Sequence, residues 1–237
     1  MGARQNIHSL RFFLTVPRPC SYLEGQEAVS VVADPEARLN PAIYGELAVR
    51  GFRRSGADIY RPACPACDAC VPLRIAVPYT PTRSQERVLR RNRDVRIELL
   101  PAEFREEHFA LYQRYLAARH PTGGMADTTP EQYRDFLISY WSKTVFIEFR
   151  AAGRLLAVAV TDLLDDALSA VYTFFDPTED RRSLGTFAIL SQLAIAERAA
   201  MRWTYLGYWI DDCANMRYKS RFTPHEVLRS GCWRRVP

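Results

Sequence analysis

The sequence predicts an α+β fold in two successive parts, 1–100 and 101–237. Three observations carry that prediction. The clustered cysteines and many of the prolines fall in the first hundred residues, among short strand-like segments. After Pro101 the pattern turns to helical periodicity, with two helices in succession. Three strand-like segments separated by tight turns then lead into a long Ala-rich helix and one more strand.

In the first part, Asn40 as N-cap, Pro41 at the first helical position and Gly51 past the end bracket a helix, with Ile43 and Leu47 on its buried face. Leu73-Arg74-Ile75-Ala76-Val77 and Val95-Arg96-Ile97-Glu98-Leu99 read as strands. In the second part, 103–119 reads as a helix with Phe104, Leu111, Tyr112 and Tyr115 inward. Thr129-Pro130-Glu131-Gln132 starts the next: Thr caps, Pro opens, and Gln stands at the capping-box position. That helix is expected to carry Tyr133, Phe136, Leu137, Tyr140 and Trp141 on one stripe. Segments 145–149, 155–163 and 168–175, with turns at Ala151-Ala152-Gly153 and Asp165-Asp166, form an antiparallel meander. Ser183-Leu184-Gly185 opens a helix over 186–200, and 203–209 follows as a strand. A meander followed by a helix and a strand is the order of GCN5-like acyltransferase folds, an analogy that assigns no chemistry.

The composition sets bounds. Of 237 residues, 48% are hydrophobic and 25% charged, which excludes a disordered chain. The formal net charge of +5 permits a polyanionic partner without requiring one. No run of about 18 apolar residues is present, so no membrane helix and no membrane partner are expected. Near the start only Phe12, Phe13 and Leu14 form an apolar run, too short for a secretory signal, so the protein is expected to be cytoplasmic.

Cys64, Cys67 and Cys70 stand at two-residue gaps in one loop. Thiolates so spaced bind Zn²⁺ or an iron–sulfur cluster, and Cys20 is the natural fourth ligand. The alternative is a buried, reduced set without metal. Cys213 and Cys232 read as ordinary small apolar residues. Arg83, Arg87 and Arg91, at i, i+4 and i+8, align on one helix face with Arg90 and Arg93 nearby. Such a ridge either tracks phosphates or is a solvated face with a Glu86–Arg90 pair. Arg217, Lys219, Arg221, Arg229, Arg234 and Arg235, interleaved with Tyr218, Phe222 and Trp233, suit single-stranded nucleic acid or a core edge.

Taken together, these blocks resemble the arginyl-tRNA–protein transferase family, most closely its bacterial aspartate/glutamate leucyltransferase branch. The resemblance rests on Pro19-Cys20-Ser21-Tyr22-Leu23, the cysteine triplet, and Arg83-Ser84-Gln85 through Arg91-Asn92. It continues through Arg119-His120, Gly123-Gly124-Met125, Asp176-Pro177 and Ser183-Leu184-Gly185. It ends with Tyr205-Leu206-Gly207-Tyr208-Trp209-Ile210 and Met216-Arg217-Tyr218-Lys219. The resemblance implies a cysteine-bearing N-terminal domain followed by a GCN5-like domain. It also implies transfer of leucine from Leu-tRNA to proteins whose first residue is Asp or Glu, in the N-degron pathway. Where the family usually has Tyr-Asp-Pro, this chain has Phe175-Asp176-Pro177, which removes that phenol.

The implied reaction is aminolysis of an already activated ester. It needs orientation, a holder for the oxyanion and a proton for the departing ribose hydroxyl, with no further cofactor. Backbone N–H groups at Ser183-Leu184-Gly185 are expected to bind phosphate or the terminal adenosine, with Arg182 in the same region, unless Ser183 is simply an N-cap. Tyr208 and Lys219 are the expected polar pair near the ester. Asp176 is the expected orienter of the amine, and His120 the loop histidine in reach of a base role. An acidic N-terminal residue needs a cation, from Arg83 or Arg119. The alternatives are arginyl transfer from Arg-tRNA, an acyl-CoA N-acyltransferase, or a zinc-ribbon nucleic-acid binder without catalysis.

Overall fold

A computed structural model describes residues 7–119 and 128–237. His120 and Gly123-Gly124-Met125 lie outside the described residues.

The N-terminal part contains β1 (Phe12–Leu14), β2 (Arg18–Pro19), β3 (Glu27–Ala28), β4 (Ser30–Ala33), α1 (Pro41–Val49), β5 (Arg53–Ser55) and β6 (Asp58–Pro62). Strands β1, β4, β6 and β5 make a four-stranded sheet in that order, and β2 pairs with β3. Asn40 caps α1 as expected, its Oδ1 accepting from Ile43 N at 3.0 Å.

The chain continues through β7 (Val71–Ala76), α2 (Arg83–Arg91), β8 (Arg96–Pro101), α3 (Glu106–Arg119), α4 (Pro130–Leu137), β9 (Thr144–Ala151), β10 (Arg154–Leu163) and β11 (Ala167–Phe175). It ends with α5 (Leu184–Arg198), β12 (Trp203–Trp209), α6 (Ala214–Arg217), β13 (His225–Arg229) and β14 (Cys232–Val236). The large sheet has the order β14-β13-β7-β12-β11-β10-β9-β8. The expected meander is β9-β10-β11, and the crossover through α5 makes β12 parallel to β11. This is the predicted acyltransferase-like α+β architecture. The sheet runs across position 100, because β7 and β8 supply two of its strands.

Helices α3 and α4 cover one face of the meander through Leu111, Tyr112, Tyr133, Leu137 and Phe174, all fully buried. α5 covers the opposite face through Leu184, Phe187 and Ala188. Each such large side chain contributes about 1.5–3 kcal/mol by leaving water.

The capping box at Thr129 and Gln132 forms, but α4 stops at Leu137, short of the expected end at Trp141. The reason is a competing set of acceptors and donors. Gly56 N donates to Phe136 O at 2.9 Å, and Arg54 Nη2 donates to Leu137 O at 3.1 Å. These bonds satisfy the last carbonyls and end the helix against the β5–β6 turn. Tyr140 is therefore 84% exposed. Trp141 is buried separately, its Nε1 donating to Ala57 O at 3.0 Å. Among the described residues no helix is long and apolar enough to cross a membrane.

Candidate active site

Strands β11 and β12 pair only from Ala167/Trp203 to Ser169/Tyr205, then diverge. Both strands bulge where they part. Val171 is an extra residue in β11 against β10, and Leu206 an extra residue in β12 against β7. Carbonyls beyond the last pair lose their ladder partner and need another. Arg53, at the start of β5, supplies it: Nη2 donates to Ala170 O and Val171 O, each at 3.0 Å. Its guanidinium also lies over the Tyr208 ring, 5.7 Å from the centroid. Gly207 makes room for it. At φ +74° it takes a left-handed conformation, and a Cβ there would sit 1.9 Å from Arg53 Nη1.

Burial works against the charge on Arg53, but the phenols of Tyr60, Tyr44, Tyr208 and Tyr22 outweigh it and raise its pKa. Tyr218 lies within electrostatic reach of both Arg53 and Tyr115 of α3. Its pKa is pushed up to about 12 by burial and then by Tyr115, against Arg53. Tyr115 packs its ring 5.0 Å from Phe175, and Arg119 lies over that same ring at 5.5 Å. An aromatic wall thus leads from the opening between the strands toward the start of α5, where Gly185 faces Phe175.

At that helix start Ser183 is left-handed (φ 54°, ψ 48°) and makes no side-chain cap. The simple N-cap reading of Ser183 is therefore not what forms. Among the described residues no side chain accepts from the opening N–H groups of α5, the arrangement that binds anions at helix N-termini. The preceding turn is tightly held. Asp176 Oδ1 accepts from Thr178 N and Oγ1 at 3.0 and 2.6 Å, and Oδ2 accepts from Arg154 at 3.0 Å. Arg182 forks onto Asp94 at 2.8 and 2.9 Å and also pairs with Glu179, which bridges to Arg154. The buried Asn92 donates to Arg182 O at 2.8 Å.

The Arg83, Arg87, Arg91 ridge forms on α2, whose Thr82–Gln85 capping box fixes its start. Arg87, Arg90, Arg91, Arg93 and Arg182, with Asp94, line an open groove of about 630 Å³ beside the α5 start. The expected Glu86–Arg90 pair also forms, at 3.6 Å between exposed side chains. Arg83 is exposed at the far end of the ridge, outside this groove. Arg119 is exposed and lies 3.7 Å from Asp180.

Three expected catalytic groups are turned elsewhere. The Tyr208 hydroxyl donates to Gly51 O at 2.9 Å and reaches Tyr60 O at 3.3 Å, so it staples the two parts of the chain instead of facing an ester. Lys219, 6% exposed, donates from Nζ to the Tyr208 main-chain oxygen at 2.7 Å and touches Met216 Sδ at 3.1 Å. The two residues are neighbours, but through backbone and not through a phenol–amine pair. Burial, then Arg53, lowers the Lys219 pKa well below that of a free lysine, against Cys213 and Cys70. Asp176, with both oxygens bonded, holds its turn and does not present a free carboxylate.

Cys20, Cys64, Cys67 and Cys70 line one cleft of about 370 Å³. Tyr22 N approaches Cys20 Sγ, and Val29 N approaches Cys64 Sγ, each at 3.4 Å. The Cys70 thiol is pushed up to about 12 by burial and by Cys20, Cys64, Cys67 and Cys213. Cys213, read from sequence as unrelated, thus lies in electrostatic reach of the set. Four thiols facing one cleft are the right donors for a thiophilic metal. Among the described residues, however, no three Cys, His, Asp or Glu side chains are already drawn together as a ligand shell. The C-terminal aromatics form a core edge: Phe222 is buried, and Trp233 sandwiches Arg74 against Trp203.

Sequence reasoning missed Arg53 and Arg54. An Arg-Arg pair in a short strand carries no motif; its role depends on a long-range contact with β11.

Two family models match the chain. One is the N terminus of arginine-tRNA-protein transferase, over residues 18–87, and the other its C terminus, over 107–229. An aspartate/glutamate leucyltransferase of Hahella chejuensis is 48% identical over 229 residues, covering 96% of this chain and 98% of its own. One of Nitrosococcus oceani is 50% identical over 224 residues, covering 94% of each. Among solved structures, the C-terminal domain of a putative lysylphosphatidylglycerol synthetase from Agrobacterium fabrum aligns with a TM-score of 0.52 at 14% identity. That alignment covers 79% of this chain and 61% of that one, and shows likeness of fold.

Proposed function

The chain belongs to the arginine-tRNA–protein transferase family, and from that premise we propose that it transfers leucine from Leu-tRNA to the α-amine of proteins beginning with Asp or Glu. The observation that carries the choice of leucine is near-full-length identity of about half to relatives named for that activity.

The incoming α-amine, with a pKa of about 7.7–8.0, is substantially free at neutral pH. It attacks the ester carbonyl, a tetrahedral oxyanion forms, and the ribose hydroxyl leaves with a proton. In this reading the arginine groove beside α2 holds tRNA phosphates, and the uncapped N–H groups at Leu184 and Gly185 hold a phosphate or the terminal adenosine. The opening between β11 and β12 receives the acceptor peptide. Because the Tyr208 hydroxyl and both Asp176 oxygens are committed, the rate comes chiefly from alignment of amine and ester.

The four thiols Cys20, Cys64, Cys67 and Cys70 are proposed to hold a structural Zn²⁺ or iron–sulfur cluster that staples the N-terminal part. Metal analysis of anaerobically purified protein tests this; protein free of zinc and iron at full activity contradicts it.

The test of the transfer reading is incubation with labelled Leu-tRNA, Arg-tRNA or acetyl-CoA and an Asp-headed peptide. Label from Leu-tRNA alone is expected. Label from acetyl-CoA alone, or none while tRNA binding is intact, removes the reading.

A further inference from the structure

We infer that Arg53 is the residue that recognises the acidic side chain of the acceptor's first residue. This rests on the transfer reading above and assigns its specificity to a residue that the sequence pattern did not mark.

Arg53 spends Nη2 on two β11 carbonyls and leaves Nε and Nη1 without an acceptor among the described residues. Arg53 is partly buried, and neither atom is among the fully buried polar atoms that lack partners, so both keep contact with solvent. No carboxylate among the described residues pairs with Arg53. Three other cations near the α5 start are already paired with carboxylates: Arg182 with Asp94 and Glu179, Arg154 with Asp176 and Glu179, and Arg119 with Asp180.

The surroundings favour an anionic guest. The guanidinium lies over the Tyr208 ring and within electrostatic reach of the phenols of Tyr22, Tyr44 and Tyr60, with no carboxylate paired to it among the described residues. A partly desolvated cation walled by aromatic rings attracts a carboxylate more strongly than an exposed arginine does. The side chain is held in place before any ligand arrives. Its two β11 acceptors fix one end, Gly207 leaves space for it, and its neighbour Arg54 is locked into Asp162 with both side chains fully buried. Position matters as well. Arg53 sits where β11 and β12 part, at one end of the aromatic wall that leads to the α5 start. A carboxylate held there leaves the α-amine of the same residue inside the opening, toward the ester. Arg83 and Arg119, on α2 and at the end of α3, are exposed and offer no such enclosure.

The experiment measures binding of Asp-headed and Asn-headed peptides to the full-length protein by fluorescence anisotropy, for wild type, Arg53→Gln and Arg53→Lys, alongside leucyl transfer. Wild type is expected to prefer the Asp-headed peptide. Arg53→Gln is expected to lose about 10- to 100-fold in affinity for it, and to bind the two peptides alike, as removal of a charge-assisted hydrogen bond predicts. Arg53→Lys keeps the charge and is expected to retain part of the preference, which separates recognition from support of the β11 carbonyls. The inference is overturned if Arg53→Gln keeps the wild-type preference, or if wild type has none. It is also overturned if Arg53→Lys weakens both peptides equally. If the preference depends on Arg53 but wild type transfers no leucine, the transfer reading fails and the assignment of Arg53 stands.

Discussion

Arg54 and Asp162 form an ion pair with both side chains fully buried, Nε to Oδ2 at 2.6 Å. It joins β5 of the small sheet to β10 of the large one. The remaining guanidinium donors reach Gly56 O, Leu137 O and Thr144 Oγ1, each at 3.1 Å. Successive side chains of a strand point to opposite faces, so anchoring Arg54 aims Arg53 at the β11–β12 opening. Arg54→Met is expected to destabilise the protein by about 3–5 kcal/mol, because it leaves Asp162 buried without its cation. Chemical denaturation of the two proteins checks it.

Gly207→Ala is expected to cost about 1–2 kcal/mol from the left-handed backbone alone. The added methyl must also push Arg53 out of position. Transfer to Asp-headed peptides should therefore fall further than stability accounts for. Melting curves and transfer rates measured on the same preparation give the comparison, with Gly231→Ala as the control. Gly231 is also left-handed, at φ +75°, but has nothing within 4 Å of the added methyl.

The arginine groove predicts a salt signature. Arg87→Ala and Arg91→Ala should each lower the slope of log affinity for Leu-tRNA against log salt by about 0.7–0.9, the loss of one phosphate contact. Arg90 is already paired with Glu86, so Arg90→Ala should change the slope less. Filter binding across a salt series reads all three.

Lys219 predicts a pH dependence of stability. Its pKa in the folded protein lies well below the unfolded value, so between the two the unfolded chain carries one more proton. Stability from this group therefore rises with pH up to about 10.4, the unfolded lysine value, and is flat above it. Wild type should gain on Lys219→Met as pH is raised toward that limit. A difference that stays constant with pH would show that Lys219 titrates normally.

Much of the C-terminal scaffold could be read from local signals. Thr129-Pro130-Glu131-Gln132 and Asn40-Pro41 cap helices by rules that need only neighbouring residues, and the meander turns at Ala151-Ala152-Gly153 and Asp165-Asp166 fall where expected. The end of α4 was not legible, because Leu137 O is satisfied by Arg54 from 83 residues away. The site was less legible still. Tyr208, Lys219 and Asp176 are chemically suited to catalysis as residue types. Only the fold shows that their polar atoms are taken by Gly51 O, Tyr208 O and Thr178. Arg53 carried no signal in sequence, since its environment comes from β11 and β12. The cysteine triplet was legible, and folding brings Cys20 to the same cleft; the proximity of Cys213 required the tertiary structure.

The central claim is leucyl transfer to an acidic N-terminus, and end-group analysis of the product tests it most directly. A peptide beginning with Asp, incubated with the protein and Leu-tRNA, should gain a single leucine linked through its α-amine, while the same peptide beginning with Asn should remain unchanged. Leucine on both peptides, or on neither while Leu-tRNA is bound, would contradict the account.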